Sequence, residues 1–71
     1  MPRFLYRKEF DYASEAKETA EGFCMVGPID GRDKVEVTAR EEDGRHFVYF
    51  ALEGDFDPHE ILAATGYERV S

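Results

Sequence analysis

The sequence predicts a small α+β domain of ferredoxin-like type, ordered β-α-β-β-α with a possible last β. Three observations predict it. Asp43-Gly44 lies between two runs of alternating apolar residues. Phe4, Tyr6 and Phe10 recur at even spacing near the start. Two segments, 12–23 and 57–65, carry helical periodicity and helix-ending glycines. The chain has 71 residues, room for one domain over 1–71. A chain of this size buries only roughly 60% of its unfolded surface. Its ten Phe and Tyr compensate, since aromatic rings bury much area per residue.

Residues 3–10 read as a first strand. Strand side chains alternate in direction, so Phe4, Tyr6 and Phe10 share the core face and Leu5, Arg7 and Glu9 take the other. Residues 12–23 read as a helix capped by Asp11 or Ser14, with Ala13, Ala16, Ala20 and Phe23 on the inner face and Gly22 as its stop. Glu15, Lys17, Glu18 and Glu21 form the wet side. Gly27-Pro28 and Asp30-Gly31 signal turns, with Met25 and Val26 sealing an edge of the core.

Asp43-Gly44 is a two-residue hairpin signal, because a type I′ turn needs positive φ at both central positions. That turn fixes the pairing: Glu42 faces Arg45, Arg40 faces Phe47, Thr38 faces Tyr49, and Val35 faces Leu52. One face then holds Val35, Val37, Ala39, Val48, Phe50 and Leu52, all apolar. The other holds Lys34, Glu36, Thr38, Arg40, Phe47, Tyr49 and Ala51. Residues 47–52 are apolar on both faces, as in a central strand. Asp57-Pro58-His59-Glu60 reads as a capping box opening a second helix, with Ile61, Leu62 and Thr65 inside and Gly66 at its end. Residues 67–70 add a short edge strand. A strand 3 placed between strands 1 and 2 gives the split β-α-β arrangement, with both helices on one side of the sheet.

The one cysteine, Cys24, excludes an internal disulfide and fits a reducing cytosol. With no run of ~20 apolar residues and no basic-then-apolar leader, the chain reads as cytoplasmic. A net charge of −7 opposes nucleic-acid backbones and anionic membranes and favours basic surfaces.

No catalytic set emerges, so the chain reads as non-enzymatic, with no cofactor. Cys24 sits beside Phe23 and Met25 as a small core residue, and His46 and His59 show no metal-ligand spacing. Glu53, Asp55, Asp57 and Glu60 form an acidic cluster without the twelve-residue calcium-loop spacing; it reads as helix capping and a solvated loop. The open sheet face is more informative. Phe47 and Tyr49 point away from the helices, framed by Arg40 and Thr38, as a contact surface would be.

Residues 43–50, Asp43-Gly44-Arg45-His46-Phe47-Val48-Tyr49-Phe50, resemble part of the octamer by which RNA-recognition motifs stack bases. Gly44, Phe47, Val48 and Phe50 fit that pattern. Asp43 replaces its basic first position, Arg45 a stacking aromatic, and His46 a small residue. The resemblance implies a single-stranded RNA-binding module stacking bases on Phe47 and Tyr49. In size and charge alone, the chain is also similar to phage-encoded inhibitors such as anti-CRISPR proteins.

The leading expectation is therefore a small acidic protein that regulates or inhibits a partner by occupying that partner's basic surface. Contact would come through Phe47, Tyr49, Arg40 and Thr38, or through the acidic groups at 53–60 (Glu53, Asp55, Asp57 and Glu60) and at 15–21. A homodimer with sheets packed face to face is a further expectation.

Overall fold

The computed structural model describes residues 2–23 and 34–70. They form β1 (Arg3–Phe10), α1 (Ala13–Glu21), β2 (Lys34–Glu42), β3 (Arg45–Glu53), α2 (His59–Ala64) and β4 (Glu68–Arg69). The strands make one antiparallel sheet in the order β2-β3-β1-β4. The turn signals at 27–31, Met25, Val26 and Cys24 lie outside the described residues.

The hairpin follows from its turn. Asp43 and Gly44 take φ of 52° and 76°, both in the left-handed region that a type I′ turn requires. The register is the one the turn dictates, from Glu42 opposite Arg45 to Val35 opposite Leu52. β3 then pairs along its other edge with β1, Phe10 opposite His46 and Arg3 opposite Glu53. β3 is thus a central strand, and its Phe47, Val48, Phe50 and Leu52 are all buried.

Parity along these strands decides which residues meet the helices. Tyr6, Val48, Phe50 and Leu52 are fully buried on one face, together with Ala16 of α1 and Leu62 of α2. Phe4, Phe10, Ala20, Phe23, Val37 and Phe56 pack around them. Both helices therefore cover the same side of the sheet. Ala16 is small enough to bring α1 close to the strands.

The helix ends differ from the sequence reading. Tyr12, not Asp11 or Ser14, occupies the N-cap of α1, and no side chain caps it. The helix starts at Ala13, which leaves Asp11 one residue too early and puts Ser14 inside the first turn. Gly22 ends α1 with φ of −98°, so its role there needs no left-handed backbone.

In α2 the helix starts at His59 and Pro58 is its N-cap. Asp57 still accepts the His59 backbone N–H at 3.0 Å, but no reciprocal bond from Glu60 completes a capping box among the described residues. Only Leu62 turns inward. Ile61 is 38% exposed and Thr65 is exposed, because a six-residue helix presents too little surface to bury more than one side chain. The Thr65 hydroxyl instead donates to the Leu62 carbonyl at 3.0 Å.

Gly66, at φ of 91°, closes α2 in a Schellman motif: Gly66 N–H donates to the Ala63 carbonyl and Tyr67 N–H to the Leu62 carbonyl, at 3.1 and 2.9 Å. This brings Tyr67 onto Leu62 in the core and aims the chain back along β1 as β4.

Candidate functional site

The helix-free face of the sheet carries an ordered grid of charges and rings. Along β3 it shows Arg45, Phe47, Tyr49, Ala51 and Glu53. β1 contributes Arg3, Leu5, Arg7 and Glu9, and β2 contributes Lys34, Glu36, Thr38, Arg40 and Glu42. Glu68 of β4 joins beside Arg7. Thr38 lies opposite Tyr49 and Arg40 opposite Phe47, so these four expected contact residues do form one patch.

Their exposure, however, is not what alternation alone implies. Phe47 lies on the helix-free side yet is only 3% exposed. The guanidinium groups of Arg7 and Arg45 sit 4.7 and 5.2 Å from its ring centre, and the Tyr49 ring packs 6.1 Å away. Arginine stems cover apolar surface while their heads stay wet, and cations are attracted to ring faces. Arg7 and Arg45 are held in place by anions. Arg45 makes two bonds to Glu9, at 2.6 and 2.8 Å, and Arg7 Nε donates to Glu68 at 2.8 Å. Bonding to Arg45 holds the Glu9 carboxyl below the usual carboxylate range. Glu68, and then the Tyr49 hydroxyl, raise Arg7 above its ordinary value.

Tyr49 is half-buried. Its hydroxyl donates to Glu42, and Arg40 lies 5.4 Å from its ring centre. The surface partly offers Tyr49, Leu5 and Ala51, with exposed Arg40 and Glu36, while Phe47 is a floor beneath two arginines.

The acidic stretch lies at the other end of β3 from the hairpin turn. It does not act as a single cluster. Glu53 closes the grid opposite Lys34 and Arg3, and Asp55 is exposed in the following loop. Asp57 turns to the helical side, where it accepts the Tyr6 hydroxyl at 2.6 Å and lies 3.9 Å from Arg69. Asp57 thus ties β1 to the start of α2 and to β4.

Burial, and then the bond to Asp57, push the Tyr6 hydroxyl up to about 12 from 10. The folded protein therefore holds this proton more tightly than the unfolded chain. The stability Tyr6 contributes is complete below pH 10 and is lost as pH rises from 10 through 12. Tyrosinate absorbance should show one ring ionising near pH 12, and Tyr6→Phe should remove that step. If every tyrosine ionised near pH 10, the burial of Tyr6 together with its bond to Asp57 would be refuted.

Among the described residues, no group of three or more His, Cys, Asp or Glu converges as metal ligands would. His46 is half-buried on the helical side. There it lines a groove of about 390 Å³ between α1 and the hairpin, with Lys17, Ala39 and Glu41. His59 is exposed and lies 6.3 Å from the Tyr6 ring. The two imidazoles belong to different places. No described helix is long and apolar enough to cross a membrane.

The face also separates charge. Its cations are Arg3, Arg7, Lys34, Arg40 and Arg45; its anions are Glu9, Glu36, Glu42, Glu53 and Glu68. Five balance five, so the remaining residues carry the whole formal charge of −7. Exposed Asp11, Glu15, Glu18 and Glu21 around α1, and Asp55, Asp57 and Glu60 before and within α2, account for most of it. Parity along the strands could have revealed this separation from sequence. No family model matches the chain, and no curated protein or solved structure matches it.

Proposed function

We propose that the chain is a small non-enzymatic binding protein whose acidic, helix-bearing side occupies a basic surface of a protein partner, and so regulates or inhibits that partner. The observation behind this reading is the charge separation: the sheet face cancels to zero and the −7 is borne elsewhere, much of it by α1 and the segment 55–60. Carboxylates on a rigid scaffold resemble a run of phosphates in spacing and sign, and complementary fields raise association rates. A nucleic-acid-processing protein with a basic channel is the matching class. The scaffold itself is read as ferredoxin-like, a reading supported by the order of its elements and by β3 lying between β1 and β2.

Base stacking on Phe47 and Tyr49 has less support, because Phe47 lies under Arg7 and Arg45 and Tyr49 is half-covered.

The test is a binding titration against a purified nucleic-acid-processing complex over a range of salt. The expected result is an affinity that falls steadily as salt rises. The variant Glu15→Gln/Glu18→Gln/Glu21→Gln, which keeps shape and removes charge, should bind about tenfold more weakly at low salt, about 1.4 kcal/mol. A complex indifferent to both salt and these substitutions would overturn the reading.

A further inference from the structure

We infer that the helix-free sheet face docks onto a second copy of this chain, about a two-fold axis that crosses the strands at the level of Thr38 and Tyr49. The inference is independent of the acidic side and rests on the order of charges along β2 and β3.

A half-turn about a line parallel to the sheet, lying above this face and perpendicular to the strands, lays each strand over its own copy reversed. A residue two places to one side of the axis then faces the residue two places to the other side. On β2, Glu36 meets Arg40 of the other copy, and Lys34 meets Glu42. On β3, Glu53 meets Arg45, and Ala51 meets the site where Arg7 and Arg45 cover Phe47. Tyr49 meets Tyr49. Every charged position of β2 and β3 on this face finds its opposite. Arg7 meets its own copy, but each Arg7 carries Glu68 at 2.8 Å, which neutralises that approach.

The register is selective. A half-turn about the length of β3 would instead oppose Lys34 to Arg3, both cations. Packed sheets cross at about 30°, so the pairs nearest the axis align best. The rest of each copy bears net negative charge and repels its mate. The neutral face is the side on which two copies approach without that penalty.

Size sets the expected strength. Nine-residue strands run roughly 30 Å, and four strands ~4.8 Å apart give a footprint on the order of 500 Å². Specific stable pairs bury roughly 800 Å² per partner, so a weak, reversible dimer is expected.

Sedimentation velocity over a concentration series tests this. The wild type should pass from monomer to dimer. Glu36→Arg places two like-charged pairs across the axis and should stay monomeric; so should Arg40→Glu. Both residues are exposed on the edge strand β2, and far-UV circular dichroism confirms that each variant is folded. Mixed in equal amounts, the two variants should pair with each other, and the double variant Glu36→Arg/Arg40→Glu should dimerise alone. A wild type that stays monomeric overturns the inference. So does a dimer that survives either single substitution, or a mixture that fails to pair.

Discussion

Replacing Phe50 with alanine is expected to remove most of the stability of the fold. Phe50 is fully buried in the middle of β3, opposite Tyr6 on one side and Val37 on the other, with Phe23 packed 5.2 Å from its ring centre. Truncating a buried Phe to Ala costs about 3–5 kcal/mol, through lost burial and the cavity left behind. At roughly 0.05–0.15 kcal/mol per residue, a 71-residue domain has a total stability of the same order. Urea unfolding followed by far-UV circular dichroism should show the variant largely unfolded without denaturant. A loss below about 1 kcal/mol would mean that the helical side of the sheet is not a packed core.

Phe47→Ala carries the second large effect and separates two views of one residue. An exposed recognition ring can be removed at little cost, within about 0.5 kcal/mol. Phe47 is 3% exposed on the side without helices, between Arg7 and Arg45. Its truncation should therefore cost about 2–4 kcal/mol, close to that of a core residue. Arg45→Ala should cost less, because Arg45 is exposed and its bonds to Glu9 lie at the surface. A stable Phe47→Ala variant would show that the arginines do not seal the ring.

These two residues also show what sequence could and could not reveal. Phe50 was legible: the Asp43-Gly44 turn fixes the register, and the register puts residue 50 among apolar neighbours. The turn is local chemistry, so reading it needs no knowledge of the rest of the fold. The side of the sheet that Phe47 takes was legible by the same parity. Its burial was not, because it depends on Arg7, which reaches it only after β1 pairs with β3, and on Glu68 and Glu9 anchoring the arginines. Binary apolar patterning treats arginine as solvent and misses its hydrocarbon stem.

The second helix was legible in place and less so in detail. Gly66 marks its end by a real positive φ. Asp57, expected as the cap of a capping box, accepts the His59 backbone N–H and also the hydroxyl of Tyr6, a partner 51 residues away. Reading that bond in advance would require the sheet order, which local signals do not contain.

The interior position of β1 has a kinetic consequence. The first strand to be made is flanked in the sheet by β3 and β4, both of which come much later in the chain. Arg7 finds Tyr49 42 residues on, and Glu68 61 residues on. Such distant closures must meet their loop entropy before contacts repay it, so the domain belongs among the slower folders for its length. While β1 waits, the β2–β3 hairpin is the one piece of the sheet that local closure can assemble, and it offers a ready template on which the N-terminal strand later condenses.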